Sequence, residues 1–116
     1  MTTIKLTTQD FKSKIFDYEN QQEWKYAGTQ PAIIDFYADW CGPCKMMHPV
    51  FERMAKKYRY IKFARINVGQ NQDISMKFGV QSIPTFIMFK DGKQVDRMIG
   101  AVGEPGIHMI AKKYQT

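Results

Sequence analysis

Cys41 and Cys44 are the only cysteines of the chain, two residues apart in Asp39-Trp40-Cys41-Gly42-Pro43-Cys44-Lys45. Two thiols at that spacing can be joined as one disulfide and parted again, so the pair is first of all a redox site. Metal binding is the competing use. Structural zinc takes four ligands, and the only histidines are His48 and His108. His48 follows Cys44 by four residues and can share its helix face, yet Cys41, Cys44 and His48 leave a fourth position unfilled. No metal is expected. Two cysteines are also too few for the disulfide scaffold of a small secreted domain.

The pair sits between two elements. The run Ala32-Ile33-Ile34-Asp35-Phe36-Tyr37-Ala38 is apolar with one charge inside it, as in a strand buried on both faces of a parallel sheet. A helix is expected over residues 42–58, with Met46, Met47, Val50, Phe51, Met54 and Tyr58 as buried positions and a kink at Pro49. Cys41 then falls at the helix N-cap, where the positive end of the dipole favours an anion and lowers the titration of a thiol. Pro43 has no N–H, which leaves the Cys44 N–H to the Cys41 sulfur. Cys44 lies one turn further in and should be less exposed. Cys41 is therefore the attacking thiol, and Cys44 is the one that resolves a mixed disulfide.

Asp35 is the second signal. A carboxylate inside a buried strand is costly unless paired or protonated. Desolvation raises its pKa and suits it to exchange a proton near neutral pH. Such an acceptor is needed, because Cys44 must lose its proton before it attacks. The plainer alternative is that Asp35 marks a strand end or points to water. Trp40, judged by residue type alone, is a core aromatic.

The other elements follow from pattern. Thr7-Thr8-Gln9-Asp10 resembles a capping box with Asp for Glu, so a short helix should run to about Ile15-Phe16. Residues 17–31 are polar and hold a loop or a helical turn around 21–26, with Trp24 and Tyr26 packed on the core. Strands are expected at 60–68, 85–89 and 94–99, the last two joined by a tight turn at Lys90-Asp91-Gly92-Lys93. Short helices are expected at 73–78, closed by Gly79, and at 104–114, with Pro105 in the first turn. The order β-α-β-α-β-α-β-β-α gives an α/β fold, a mixed sheet with helices on both faces.

At 116 residues the chain suits one domain, 1–116, with one hydrophobic core. Its 44% hydrophobic and 24% charged residues place it among soluble globular proteins. No apolar stretch is long enough to cross a bilayer. No signal peptide is visible, which favours the cytoplasm. The net charge is +6, densest through Arg53, Lys56, Lys57, Arg59 and Lys62. Cations suit a helix C-terminus, and no aromatic-basic interleaving accompanies them, so a solvated helix end is favoured over a surface for acidic protein partners or nucleic acid. His48 is taken as a surface helix residue.

The stretch Asp35-Phe36-Tyr37-Ala38-Asp39-Trp40-Cys41-Gly42-Pro43-Cys44-Lys45 resembles the active-site signature of the thioredoxin family. The likeness continues through Pro49, Ala64-Arg65-Ile66-Asn67-Val68, Phe78-Gly79-Val80, Ile83-Pro84-Thr85, Lys90-Asp91-Gly92 and Gly100-Ala101. It implies the thioredoxin fold, a central five-stranded mixed sheet flanked by four helices. It implies a cis bond before Pro84, beside the disulfide, and a docking surface of Trp40, Gly42, Pro43, Ile83, Pro84, Gly100 and Ala101. It further implies a general protein-disulfide reductase, monomeric and without a bound cofactor. Such a protein acts on disulfide-containing proteins and is recharged by an NADPH-dependent thioredoxin reductase. The Gly42-Pro43 dipeptide resembles that of reducing members. An isomerase or oxidase of another compartment, or a non-catalytic interaction module, would share the fold. Arg65 stands where many family members have Lys. It can support ionised Asp35 by its charge but cannot itself relay a proton. The 17–31 segment is longer than the family's usual connection.

Overall fold

The computed structural model describes residues 3–15, 30–91 and 93–115. Its elements are β1 (Ile4–Leu6), α1 (Thr8–Lys14), β2 (Ala32–Tyr37), α2 (Gly42–Lys57), β3 (Lys62–Asn67), α3 (Gln72–Lys77), β4 (Thr85–Lys90), β5 (Lys93–Ile99) and α4 (Gly103–Tyr114). This is the expected order. The five strands lie in one sheet, β1-β3-β2-β4-β5. β1 and β2 run parallel to β3, while β4 is antiparallel to β2 and to β5. β2 is thus central, and all six of its residues are buried, as a strand covered on both faces requires.

Side chains alternate across a strand, and the two faces of the sheet carry two separate cores. Ile33, Phe63, Phe86 and Met88 pack with Met47, Phe51 and Met54 of α2 and Ile107 and Ile110 of α4. Their neighbours Ile34, Phe36, Ala64, Ile66, Ile87 and Phe89 pack with Phe11 and Ile15 at α1 and Ile74 of α3. Phe51 lies between Phe63 and Phe86, with ring centroids at 4.9 and 5.6 Å. On the other face Phe11 meets Phe89 edge-on at 5.3 Å, a favourable aromatic geometry.

Local chemistry explains the element ends. The Thr7 side chain accepts from the Asp10 N–H at 3.1 Å, and the Asp10 carboxylate accepts from the Thr7 N–H at 3.1 Å. The capping box therefore closes with Asp in the Glu position. α1 stops at Lys14, with Ile15 as its cap. α3 ends in a Schellman motif: Gly79 has φ +63°, and the Gly79 and Val80 N–H groups donate to the Met76 and Ser75 carbonyls at 3.1 and 2.9 Å. Glycine tolerates that φ without a Cβ clash. Lys90 pairs with Lys93 across the hairpin, and Asp91 has φ +50°, a conformation Asp accepts better than most residues.

Some expectations are corrected or fall elsewhere. Met46 is 71% exposed, because the buried stripe of α2 runs through Cys44, Met47, Phe51, Met54 and Ala55. Met46 is one residue, about 100°, off that stripe. Val50 is only partly buried. β3 begins at Lys62 rather than at Tyr60, which is exposed. Arg53 pairs with Glu104 at 3.5 Å across an exposed contact, and Lys56 and Lys57 close the last turn of α2. Phe16, the helical turn at 21–26 with Trp24 and Tyr26, and Gly92 lie outside the described residues. Among the described residues, no helix is long and apolar enough to cross a membrane.

Candidate active site

β2 delivers the chain to the start of α2, and the cysteine pair sits at that junction. Cys41 is the N-cap, with φ −93° and ψ 111°. Its sulfur accepts the Cys44 N–H at 3.2 Å, and its carbonyl accepts the Lys45 N–H at 3.1 Å. Pro43, one residue before Cys44, lies in the first turn, where a missing N–H costs nothing. Cys41 and Cys44 form a disulfide, with Cα atoms 5.2 Å apart. Both are buried, at 4% and 1% exposure, so the expected difference between them is small in the oxidised form.

Two loops, before β4 and after β5, lie at the same end of the sheet as this junction. The Ile83–Pro84 bond is cis. The Ile83 carbonyl oxygen lies 3.9 Å from the Cys41 sulfur. The Gly100 N–H donates to the Pro84 carbonyl at 2.8 Å, and Gly100 has φ +97°, where an L side chain would be strained. Pro84 is buried, Ile83 is half-buried, and Gly42, Pro43 and Ala101 are exposed. Trp40 is 78% exposed. The core-aromatic alternative for Trp40 is thereby set aside, since the turn after β2 directs its ring outward beside the disulfide.

Asp35 lies in the middle of β2 with no exposed surface. It is neither a strand end nor a residue facing water. In the parallel β2–β3 pairing Asp35 stands opposite Arg65. The Arg65 Nε donates to Asp35 Oδ2 at 3.2 Å, while Oδ1 accepts no hydrogen bond from the described residues. Burial pushes the Asp35 carboxyl up to about 6, against the opposing charge and hydrogen bond of Arg65. The pair does not touch the sulfurs through any hydrogen bond among the described residues. Arg65 and Cys44 both line a cleft of about 140 Å³, together with Tyr37, Ala38, Asp39, Lys45 and His48, while Asp35 lies wholly buried behind Arg65. His48 thus borders the site. Its ring is half-exposed, and Nε2 lies 3.6 Å from a Glu52 carboxylate oxygen.

One residue of the site escapes sequence reasoning. The Tyr37 ring lies under the Arg65 guanidinium, whose central carbon is 3.8 Å from the ring centroid. The available signal was parity: Asp35 and Tyr37 are two apart on β2 and share a face. Among the described residues, no group of three or more His, Cys, Asp or Glu side chains could hold a metal ion.

As a chemical unit, the junction holds a reversible two-electron couple at a helix N-terminus, a raised carboxyl behind it and an apolar, partly exposed rim in front. Comparison with known proteins agrees with this arrangement. The thioredoxin family model matches residues 2–113. A thioredoxin of Borreliella burgdorferi is 45% identical over 112 residues, 96% of each chain. One of Porphyra purpurea is 35% identical over 115 residues, 98% of each chain. Among solved structures, the thioredoxin of Malassezia sympodialis superposes with a TM-score of 0.80 at 26% identity, covering 98% of this chain and 91% of that one.

Proposed function

The chain belongs to the thioredoxin family and is a thiol-disulfide oxidoreductase, and we propose that Cys41 and Cys44 carry its protein-disulfide reductase activity in two unequal roles. The observation that carries this reading is the position of the Cys41–Cys44 disulfide at the α2 N-terminus, with Ile83 and cis-Pro84 against it. In the reduced protein the helix N-terminus favours negative charge on the Cys41 sulfur. The Cys41 thiolate attacks one sulfur of a substrate disulfide. A mixed disulfide forms, and the first substrate thiolate leaves. Cys44 gives up its proton and attacks the Cys41 sulfur, which closes the internal disulfide and releases the second substrate thiolate. Two electrons have then passed from the protein to the substrate.

Asp35 is the acceptor for the Cys44 proton, behind the cleft that Cys44 and Arg65 line. Arg65 supports it electrostatically. Trp40, Gly42, Pro43, Ile83, Pro84, Gly100 and Ala101 form the docking surface for an extended, disulfide-bearing substrate segment. The exposure of Trp40 and the Gly100–Pro84 hydrogen bond support that grouping. The electrons return from an NADPH-dependent thioredoxin reductase. A dithiol that must stay reduced suits the cytoplasm, where thiols are kept so. The chain works there as a monomeric single domain, 1–116, without a resident cofactor.

Reduction of insulin by dithiothreitol tests the assignment. The protein should accelerate it, Cys41→Ser should not, and Cys44→Ser should accumulate mixed disulfides. Normal turnover by Cys44→Ser would reject the two-thiol scheme. The direction of electron flow is tested by the potential. A thioredoxin value of about −270 mV is carried over to this chain from its kinship rather than worked from its geometry. A measured value near about −120 mV, that of a strong oxidant, would reassign it as an oxidase.

A further inference from the structure

We propose that Tyr37 is a positioning residue for the redox reaction: its ring seats the Arg65 guanidinium so that Nε stays on the Asp35 carboxylate. The inference rests on the reading of Asp35 as proton acceptor and adds the group that keeps its partner in place. Asp35 and Tyr37 project from the same face of β2, and Arg65 reaches that face from the neighbouring parallel strand, opposite Asp35. The Arg65 side chain is 13% exposed. Among the described residues, Nε is the one of its five N–H donors with a protein acceptor, and the terminal nitrogens donate to none. Hydrogen bonding therefore fixes one edge of the guanidinium and leaves the plane free to turn. What fixes the plane is the Tyr37 ring, at 3.8 Å, well inside the range of a cation–π contact.

Without the ring, the guanidinium has somewhere to go. The cleft beside it contains Asp39, an exposed carboxylate that could compete for the cation. Among the described residues Asp35 has no second donor to fall back on, since its Oδ1 is already unpartnered. Loosening Arg65 would leave a buried carboxylate with no hydrogen bond from the protein. The other ionisable groups that line that cleft are Tyr37 itself, Cys44 when reduced, Lys45 and His48. β4 presents only the apolar Phe86 opposite Asp35. Among the described residues Arg65 is therefore the one cation bonded to Asp35, and its geometry decides how easily that carboxyl ionises. A lysine, with a compact ammonium and no planar fork, would depend less on the ring. In this reading Tyr37 and Arg65 work as a matched pair.

The test is titration of the Asp35 carboxyl in the oxidised protein, followed by its ¹³C chemical shift. Tyr37→Phe keeps the ring face and should leave the midpoint in place. Tyr37→Leu removes it and should raise the midpoint by about one unit, a tenfold change in proton affinity. In an Arg65→Gln background Tyr37→Leu should add nothing, the signature of two residues acting through one contact. An unmoved midpoint in Tyr37→Leu, or an equal shift with and without Arg65, overturns the proposal. Should Tyr37→Leu not fold, a ring-fluorinated phenylalanine at position 37 weakens the π face at nearly constant volume. It must move the midpoint the same way, and no movement overturns the proposal. The titration reads Asp35 directly, so its outcome is separate from whether Asp35 accepts the Cys44 proton. That reading fails on its own, in the rate profile of Asp35→Asn.

Discussion

Replacing Asp35 by Asn should make the oxidised protein more stable and a slower reductant, and both effects should depend on pH in a defined way. The Asp35 carboxyl is raised from 3.8 to about 6 by burial, net of the help it receives from Arg65. At about 1.4 kcal/mol per unit, that rise corresponds to about 3 kcal/mol between the two protonation states. The sign follows from the direction. A carboxyl whose folded value exceeds its unfolded one holds its proton more tightly in the native state. The stability this confers is complete below pH 3.8, declines as the pH rises through about 6, and is absent above it. Asn mimics the protonated form and cannot ionise. Wild type and Asp35→Asn should therefore unfold at similar denaturant concentrations near pH 3.5. By pH 8 the variant should lead by about 3 kcal/mol, less whatever Arg65 loses with its partner.

Urea unfolding of the oxidised proteins across pH 3.5 to 8 measures that gap. A gap of the same size at both ends would show that Asn acts through packing and not through ionisation. A variant less stable at pH 8 would refute the burial argument outright. The kinetic half of the prediction runs in the opposite direction. Near pH 7 insulin reduction by Asp35→Asn should fall by about tenfold or more, within the range of a lost proton acceptor. The deficit should shrink toward pH 9, where a thiol of ordinary acidity ionises unaided. A rate ratio that stays flat from pH 6 to 9 would remove Asp35 from the mechanism.

Two further predictions concern the frame that holds the site. Phe51→Ala removes a fully buried ring packed between Phe63 and Phe86 and should cost about 3 to 5 kcal/mol of unfolding free energy in urea; a loss under about 1 kcal/mol would show that α2 is not anchored there. Thr7→Ala breaks the capping box of α1 and should cost about 1 kcal/mol while leaving insulin reduction at its wild-type rate, because α1 lies on the sheet face away from α2.

Much of the frame is local and so was legible. The unbroken apolar run of β2, the Thr7 capping box and Gly79 at the end of α3 each announce themselves within a few residues. The cysteine pair is legible for the same reason. What sequence pattern missed is decided by partners distant along the chain. Trp40 and Phe51 are both large aromatics, yet one is exposed and the other wholly buried. The difference lies in the turn between β2 and α2, which no composition rule sees. Met46 and Met47 differ by one step of a helix, and periodicity over so rich an apolar segment does not choose between them. Asp35 was marked by its charge in an apolar run. That Arg65 meets it, and that Tyr37 lies beneath Arg65, depends on the β2–β3 register, in which a one-residue slip would turn every side chain to the other face.

The burial of Asp35 sets what a proton transfer to it would cost. Passing a proton from an ordinary thiol, near 8.5, to an ordinary aspartate, near 3.9, is uphill by more than four units, about 6 kcal/mol. With Asp35 at about 6, the same transfer costs about 3 kcal/mol. Burial thus removes roughly half of the penalty. More burial would not help further. A carboxyl raised above the working pH would already be protonated at rest and could accept nothing. Arg65 is what keeps Asp35 below that ceiling, by favouring the ionised form through its charge and its Nε hydrogen bond. A carboxyl so placed is both ionised near pH 7 and basic enough to take a thiol proton, as the proposed acceptor role requires. Holding that balance demands a cation of fixed geometry at the edge of the cleft, which a guanidinium bonded on one edge and stacked on one face provides.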